Sequence, residues 1–183
     1  MSTETESASA FGVESPLDWT IGGTLGGVLG AVAFGVLAWL FDPEIVAVAI
    51  PAIYGLELTG LVGWASHIGH GVVLGLVFGF LVTRRSILEF IQLSAETEAL
   101  SQTGMWIRTV AAGFVFGLAI WAILPVLVLP IWIDAFGTAG AGGFPAAAVE
   151  SLLGHLVFGI VLGLVFATTV DLRDRAADVS FSE

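Results

Sequence analysis

The sequence predicts an all-α fold, a polytopic membrane four-helix bundle that arose by tandem duplication of a two-helix unit. Of the 183 residues, 57% are hydrophobic and only 11% are charged, whereas charged residues make up about a quarter of a typical soluble domain. The apolar residues form four long runs, and about 18 apolar residues with few charges are enough for a helix to cross a bilayer. The fourth run also repeats much of the second.

Each run is continuous and is bounded by charged residues. A β-barrel would instead show alternating segments of about ten residues, so the runs predict helices, which satisfy their backbone polar groups internally. In chain order the runs are Thr20 to Phe41, Leu58 to Thr83, Thr109 to Ile133 and Ser151 to Val170. We therefore expect a disordered acidic tail (1–19), membrane repeat 1 (20–83), a cytoplasmic linker (84–108), membrane repeat 2 (109–170) and a cytoplasmic tail (171–183).

The duplication rests on matches in both helices of each half. Between His67 and Val82, nine of sixteen residues are identical to those 88 positions later, starting at His155. The first helices match at a spacing of 82, where Phe34-Gly35 corresponds to Phe116-Gly117. In the connections that follow them, Ile50-Pro51 corresponds to Leu129-Pro130. Two spans return the chain to its starting side, which predicts parallel repeats related by a pseudo-twofold axis along the membrane normal.

The arginines predict the orientation in the membrane. The chain has no lysine, and its five basic residues all fall at the termini or in the central linker: Arg84, Arg85, Arg108, Arg173 and Arg175. Because basic residues accumulate on the cytoplasmic side, we expect both termini and the linker in the cytoplasm and the chain in the cell membrane. On the opposite side, where every charged residue is acidic, we expect a first connection whose apolar stretch (45–54) is too short to span. In the second connection, prolines such as Pro125 and Pro130 break the helix before a Gly/Ala-rich loop (135–148).

Glycine rows indicate how the helices pack. His67 begins a row that continues every four residues, and His155 begins an equivalent row in the fourth run. Residues four apart lie on one helical face, and small residues on such a face let helices approach closely in lipid. We expect these faces to be covered by helices, or to leave space for a flat ligand or a pore. The residues assigned to helix packing are Gly71, Gly75, Gly79, Gly159 and Gly163.

The histidines are the candidate functional residues, because ionisable side chains inside a span are costly. Three interpretations stay open for His67 and His155. The imidazoles form hydrogen bonds between helices, they bind a cofactor, or they belong to a proton or ion path. As cofactor ligands they would hold haem b from two sides or, with His70 and Glu150, a divalent metal such as Zn²⁺ or Cu²⁺.

Composition excludes several classes of function. With no cysteine, the chain has no disulfide and no covalent c-type haem site. Sixteen acidic residues against five basic ones give a net charge of −11, which leaves no basic patch for nucleic acid and is typical of adaptation to high salt. Phosphate-binding, hydrolase and dinucleotide-binding motifs are absent from the sequence, so we expect no enzymatic activity.

Four segments carry a resemblance to a known group of proteins. These are Phe34-Gly35, Trp39 to Glu44, Ile50 to Gly55 and Glu150 to His155, and the likeness extends over about Thr20 to Asp171. The chain resembles small uncharacterised four-helix membrane proteins of halophilic archaea, some of which carry the label histidine kinase. A kinase would need a cytoplasmic ATP-binding domain, and the linker is far shorter than a folded domain.

Together these features predict a non-enzymatic integral membrane protein. The function expected is that of an accessory or electron-transfer subunit that binds haem b or a metal through the histidine pair. The alternative is a small channel or transporter lined by the glycine faces. The partners expected are the lipid membrane and either other membrane subunits or further copies of the same chain.

Overall fold

A computed structural model describes residues 18–84, 87, 101–136 and 149–170. Within these residues the chain forms helices joined by short turns, and no strand is found among them. The helices are α1 (Asp18–Phe41), α2 (Ile50–Ile53), α3 (Gly60–Val82), α4 (Ser101–Trp121), α5 (Leu129–Phe136) and α6 (Val149–Thr169). Residues 1–17 of the predicted N-terminal tail (1–19), the predicted C-terminal tail (171–183) and most of the predicted linker lie outside the described residues.

Four of the helical segments are long and apolar enough to cross a membrane. They are α1, α3, α6 and a 33-residue span, Gly104–Phe136, that joins α4 to α5. The prediction of an all-α protein with four membrane-length helices is thus confirmed for the described residues, and the chain is a multi-pass membrane protein.

Two helices form the centre of the bundle. Helix α1 packs on α3 with one face and on α6 with another, and α6 also packs on α4, whereas α3 and α4 touch only lightly. The core enclosed by α3, α4 and α6 is aromatic. The ring of Phe78 lies 5.4 Å from that of Phe166 and 5.3 Å from that of Phe116, measured between ring centroids.

Glycine explains why α1 can approach two neighbours. A Cβ atom added to Gly23 would lie 2.6 Å from the carbonyl oxygen of Gly75 in α3, and one added to Gly30 would lie 2.8 Å from the carbonyl oxygen of Phe158 in α6. Real Cβ atoms almost never come within 3.0 Å of another heavy atom. Only glycine therefore permits both close contacts, and backbone packing of this kind stabilises helix pairs in lipid.

The two halves use the same kind of contact with a different register. A Cβ on Gly27 would meet the backbone of Gly71 and Gly75, and a Cβ on Gly113 would meet the backbone of Gly159 and Gly163. Gly27 and Gly113 are therefore structurally equivalent, and they are 86 residues apart. Matching the sequences of the first helices of the two halves gave a spacing of 82, which is about one helical turn less.

This register accounts for the light contact between α3 and α4. The row that brings α1 onto α6 contains Gly22, Gly26 and Gly30. Adding 86 places Arg108, Ala112 and Phe116 at the corresponding positions in α4. Because Arg108 and Phe116 are large, α4 stays farther from α3 than α1 does from α6.

Proline does not end the third membrane helix, so this part of the sequence prediction is wrong. A π-helical segment, Ala122–Val128, contains Pro125 and joins α4 directly to α5. Proline has no N–H to donate, and its ring collides with the carbonyl four residues earlier in a regular α-helix. The wider π-helical turn relieves this conflict, and the N–H of Leu129 donates to the carbonyl of Leu124, five residues back.

The connection between α1 and α3 also contains a π-helical segment. The π-helical segment Ile45–Ala49 precedes α2, and the N–H of Ile50 donates to the carbonyl of Ile45. Asp42 starts this helical segment, since its Oδ1 accepts a hydrogen bond of 2.9 Å from the N–H of Glu44, as an N-cap residue does. Val46 is fully buried, and its carbonyl packs where a Cβ on Gly63 of α3 would lie.

Candidate functional site

His67 is buried in the interface between α3 and α1. It is 7% exposed, and its Nε2 forms a 3.0 Å hydrogen bond with the carbonyl oxygen of Ala31. A polar side chain that reaches a backbone carbonyl of a neighbouring helix can tie the two helices together in an apolar environment. Among the three interpretations of His67, this contact agrees with the interhelical hydrogen bond.

His155 makes its hydrogen bond within its own helix. Its Nδ1 lies 2.7 Å from the carbonyl oxygen of Ser151, one turn earlier in α6. Ser151 is itself buried. The two histidines therefore occupy equivalent positions in the sequence but have different hydrogen-bond partners.

The ring of Phe34 connects the two histidines. Its centroid lies 5.0 Å from that of His67, with the rings almost perpendicular at 86°, and 4.7 Å from that of His155. Trp64 lies 6.2 Å from His67. We call Phe34, Trp64, His67 and His155 the histidine cluster.

Two glycines make room for the histidine cluster. A Cβ on Gly154 would lie 2.9 Å from Phe34 Cζ and still closer to other atoms of that ring. A Cβ on Gly35 would lie 2.5 Å from Trp64 Cζ3 and 3.1 Å from His67 Cδ2. The aromatic rings thus occupy space that any larger residue at these two positions would fill.

A haem held by His67 and His155 does not fit this arrangement. Such a site needs a slot beside the histidines that is wide enough for the porphyrin plane. The glycine row below His67, which contains Gly71 and Gly75, is covered by the α1 backbone, and the row below His155 is covered by α4. The two rows face different helices and share no slot, and Phe34 contacts both imidazoles.

The structure also shows where the other predicted metal ligands lie. Glu150 is exposed at the start of α6, and His70 contacts Tyr54 through its Nε2. In the part of the chain that is described, no group of three or more histidine and acidic side chains is close enough together to hold a metal ion.

A second cluster of polar contacts lies at the same end of the bundle. The Tyr54 hydroxyl lies 2.5 Å from His70 Nε2, and Trp132 Nε1 donates a 3.0 Å hydrogen bond to the carbonyl of Ile53. The rings of Tyr54 and Trp132 are 6.4 Å apart. We call Ile53, Tyr54, His70 and Trp132 the outer latch, where outer means the end of the bundle opposite Arg84. The outer latch joins α3, and the connection between α1 and α3, to α5.

Sequence reasoning missed the outer latch. The one available signal was that Tyr54 is the only tyrosine in the chain, in a connection otherwise rich in aliphatic residues. Burial raises the pKa of the Tyr54 phenol above its ordinary value of 10, because a less solvated site disfavours the charged form. The phenol is therefore a neutral hydrogen-bonding group at physiological pH.

At the opposite end of the bundle, near Arg84, the notable contact is between a cation and an aromatic ring. The guanidinium carbon of Arg84 lies 3.6 Å from the centroid of the Phe80 ring, a cation–π contact. The Phe80 ring in turn lies 6.3 Å from that of Trp19. Arginine and tryptophan are both common where membrane helices meet the headgroup region.

One buried polar atom lacks a partner among the described residues. Trp121 Nε1 is buried without a hydrogen-bond acceptor in the part of the chain that the structure describes. Trp121 follows Gly117 by one turn, and Gly117 packs against the backbone of His155. The indole therefore lies on the α4 face that contacts α6, beyond the level of His155.

Comparison with known proteins adds no functional assignment. The chain matches no protein-family model, no curated protein and no solved structure.

Proposed function

We propose that this chain is a non-enzymatic membrane protein that serves as an accessory subunit of a larger membrane assembly. The observation that carries the proposal is the sparse packing of the third membrane helix. In its most apolar window only 6% of the residues are buried, against 33% in each of the other three membrane helices. Its described packing within the chain is mainly along one face, against α6.

The polar side chains of the membrane helices support a structural role. His67 and His155 each contact a backbone carbonyl. The hydroxyls of Thr83, Thr109 and Thr169 likewise donate to carbonyls one turn earlier in their own helices. Side chains used in this way satisfy their own polar groups within the bundle or join helix pairs, and they are not held ready for proton or group transfer.

A photo-crosslinking experiment tests the accessory role. A photoreactive amino acid is placed at Val115 in α4 or, as the matched control, at Val73 in α3, since these valines have nearly equal exposure of 61% and 59%. After irradiation of native membranes, we expect a discrete higher-mass protein adduct at Val115 and none at Val73. An adduct of twice the chain mass identifies the partner as a second copy. Lipid adducts alone at both positions would refute the proposal.

We also infer that the chain arose by duplication of a two-helix unit. The support is structural as well as sequential. Each half contains a π-helical segment followed directly by a hydrophobic residue and proline, Ile50-Pro51 and Leu129-Pro130. Each half also packs its two membrane helices through glycine backbones. A common origin explains why two unusual local conformations recur in the same order.

A metal-binding version of the function is less well supported. The ring of Phe34 lies against both His67 and His155, and a phenyl ring supplies no metal ligand. Metal analysis of protein purified from its native membrane tests this version. Stoichiometric metal that disappears in both His67→Ala and His155→Ala would favour it, and metal-free wild-type protein would eliminate it. A spectrum of the reduced protein without a Soret band is expected, because α1 and α4 cover the glycine rows beside the pair among the described residues.

A channel lined by the glycine faces agrees less well with the packing. The faces that contain Gly75 and Gly163 are filled by the backbones of α1 and α4. A pore along either face would require the helix pair to separate. Solute flux into liposomes that contain the purified protein would contradict the accessory role directly.

A further inference from the structure

The third membrane helix contains a segment at which it can bend. The π-helical segment Ala122–Val128 holds Pro125 in its interior and separates α4 from α5. Kinks in helices occur at prolines and at π-helical turns, because backbone hydrogen bonds are missing or lengthened there. A bend at this segment would move α5 without disturbing the glycine contacts of α4 with α6.

Few described contacts hold α5 against the rest of the bundle. No residue of α5 is buried, and Ile131 is 63% exposed. Its described polar contact with the rest of the bundle is the hydrogen bond from Trp132 Nε1 to the carbonyl of Ile53. The rings of Trp132 and Tyr54 also meet edge to face, and Tyr54 is in turn held by His70 of α3.

The position of the outer latch is significant because α3 and α4 touch only lightly. Phe116 and Phe78 meet in the bundle core. Toward the outer end, the outer latch brings the third membrane helix back to α3 through Tyr54. Releasing it would further expose Tyr54, which is already 46% exposed, and the half-buried His70.

We propose that α5 is a movable arm, which turns about the π-helical segment Ala122–Val128 and is held closed over the α3–α4 line by the outer latch. The closed state is the one described above. In the open state Trp132 leaves Ile53, and His70 becomes accessible from the side of the bundle. The proposal stands independently of any partner, since it depends only on contacts within the chain.

Distance measurements between two spin labels test the movable arm. The chain contains no cysteine, so Leu58→Cys and Ile131→Cys supply the only labelling sites, and both original side chains are exposed at 57% and 63%. The labelled protein is measured by pulsed electron resonance in lipid nanodiscs. Trp132→Phe removes the N–H donor while keeping an aromatic ring. Trp106→Phe, in α4, is the matched control.

Loss of one hydrogen bond should raise the ratio of open to closed molecules about fivefold, equivalent to about 1 kcal/mol. We therefore expect a longer-distance population to grow in Trp132→Phe, to grow more in Trp132→Ala, and to stay unchanged in Trp106→Phe. Adding Pro125→Ala to Trp132→Phe should reduce that population, because a regular helix would stiffen the hinge. A wild-type distance distribution in Trp132→Ala would overturn the proposal. So would equal broadening in Trp106→Phe, since the effect would not then belong to the outer latch.

Discussion

The close contact of α1 with α3 makes a sharp prediction for Gly75→Ala. A Cβ at this position would lie 2.8 Å from Gly27 Cα and 3.0 Å from the carbonyl carbon of Gly23, and closer still to the Gly23 oxygen. All three are backbone atoms, so no side-chain rotation can relieve the clash. Ordinary contacts begin at 3.4 Å, and the helices must therefore separate by at least 0.6 Å (3.4 − 2.8) at Gly27.

The expected cost follows from two opposing effects. Inserting a methyl group into a tightly packed interface costs about 1–3 kcal/mol, and alanine regains up to about 1 kcal/mol over glycine as a better helix former. We expect Gly75→Ala to lower the free energy of unfolding by about 1–2 kcal/mol. Reversible unfolding in mixed micelles with increasing sodium dodecyl sulfate, followed by tryptophan fluorescence, measures this difference.

The same helix provides the control. A Cβ on Gly69 would meet no atom within 4 Å, so Gly69→Ala should be neutral or stabilising by up to about 1 kcal/mol. Both variants change the same residue type in α3, and only the packing differs. If Gly75→Ala is as stable as the wild type, or if Gly69→Ala is destabilised equally, the close-packing argument is refuted.

Three further predictions concern topology, the histidine and the tyrosine. With termini and linker in the cytoplasm, cysteine placed at Ala141 should react with an impermeant thiol reagent in intact cells and cysteine placed at Ser101 should not; the reverse labelling would invert the topology. His67→Leu keeps most of the volume but loses the bond to Ala31, so it should cost about 0.6–1.5 kcal/mol in the same micelle titration, and no loss would mean that the bond contributes nothing. The pKa of Tyr54 is raised in the folded protein. The contribution of Tyr54 to the free energy of unfolding should therefore be constant below pH 10 and decline as the pH rises above that value. A decline centred about one pH unit or more below that value would contradict the raised pKa.

The histidine cluster shows the limit of reasoning by repeat. Matching positions predicted that His67 and His155 act as a symmetric pair, yet their hydrogen bonds go to different places, one to α1 and one within α6. The difference arises from the packing of neighbouring helices. Phe34 of α1 reaches both histidines, but the corresponding helix α4 has a different register with α6, which a match of sequences alone does not reveal.

The sequence by itself determined the number of membrane-length helices, because length and hydropathy decide whether a segment can leave water. It also determined which helix faces carry glycine, since the four-residue spacing is a property of the helix itself. The tertiary structure decided which neighbour covers each face, that helix continues through Pro125, and that Tyr54 meets His70 and Trp132. These outcomes depend on the relative position of segments far apart in the chain, where one helical turn of register changes every contact, and local periodicity carries no information about that register.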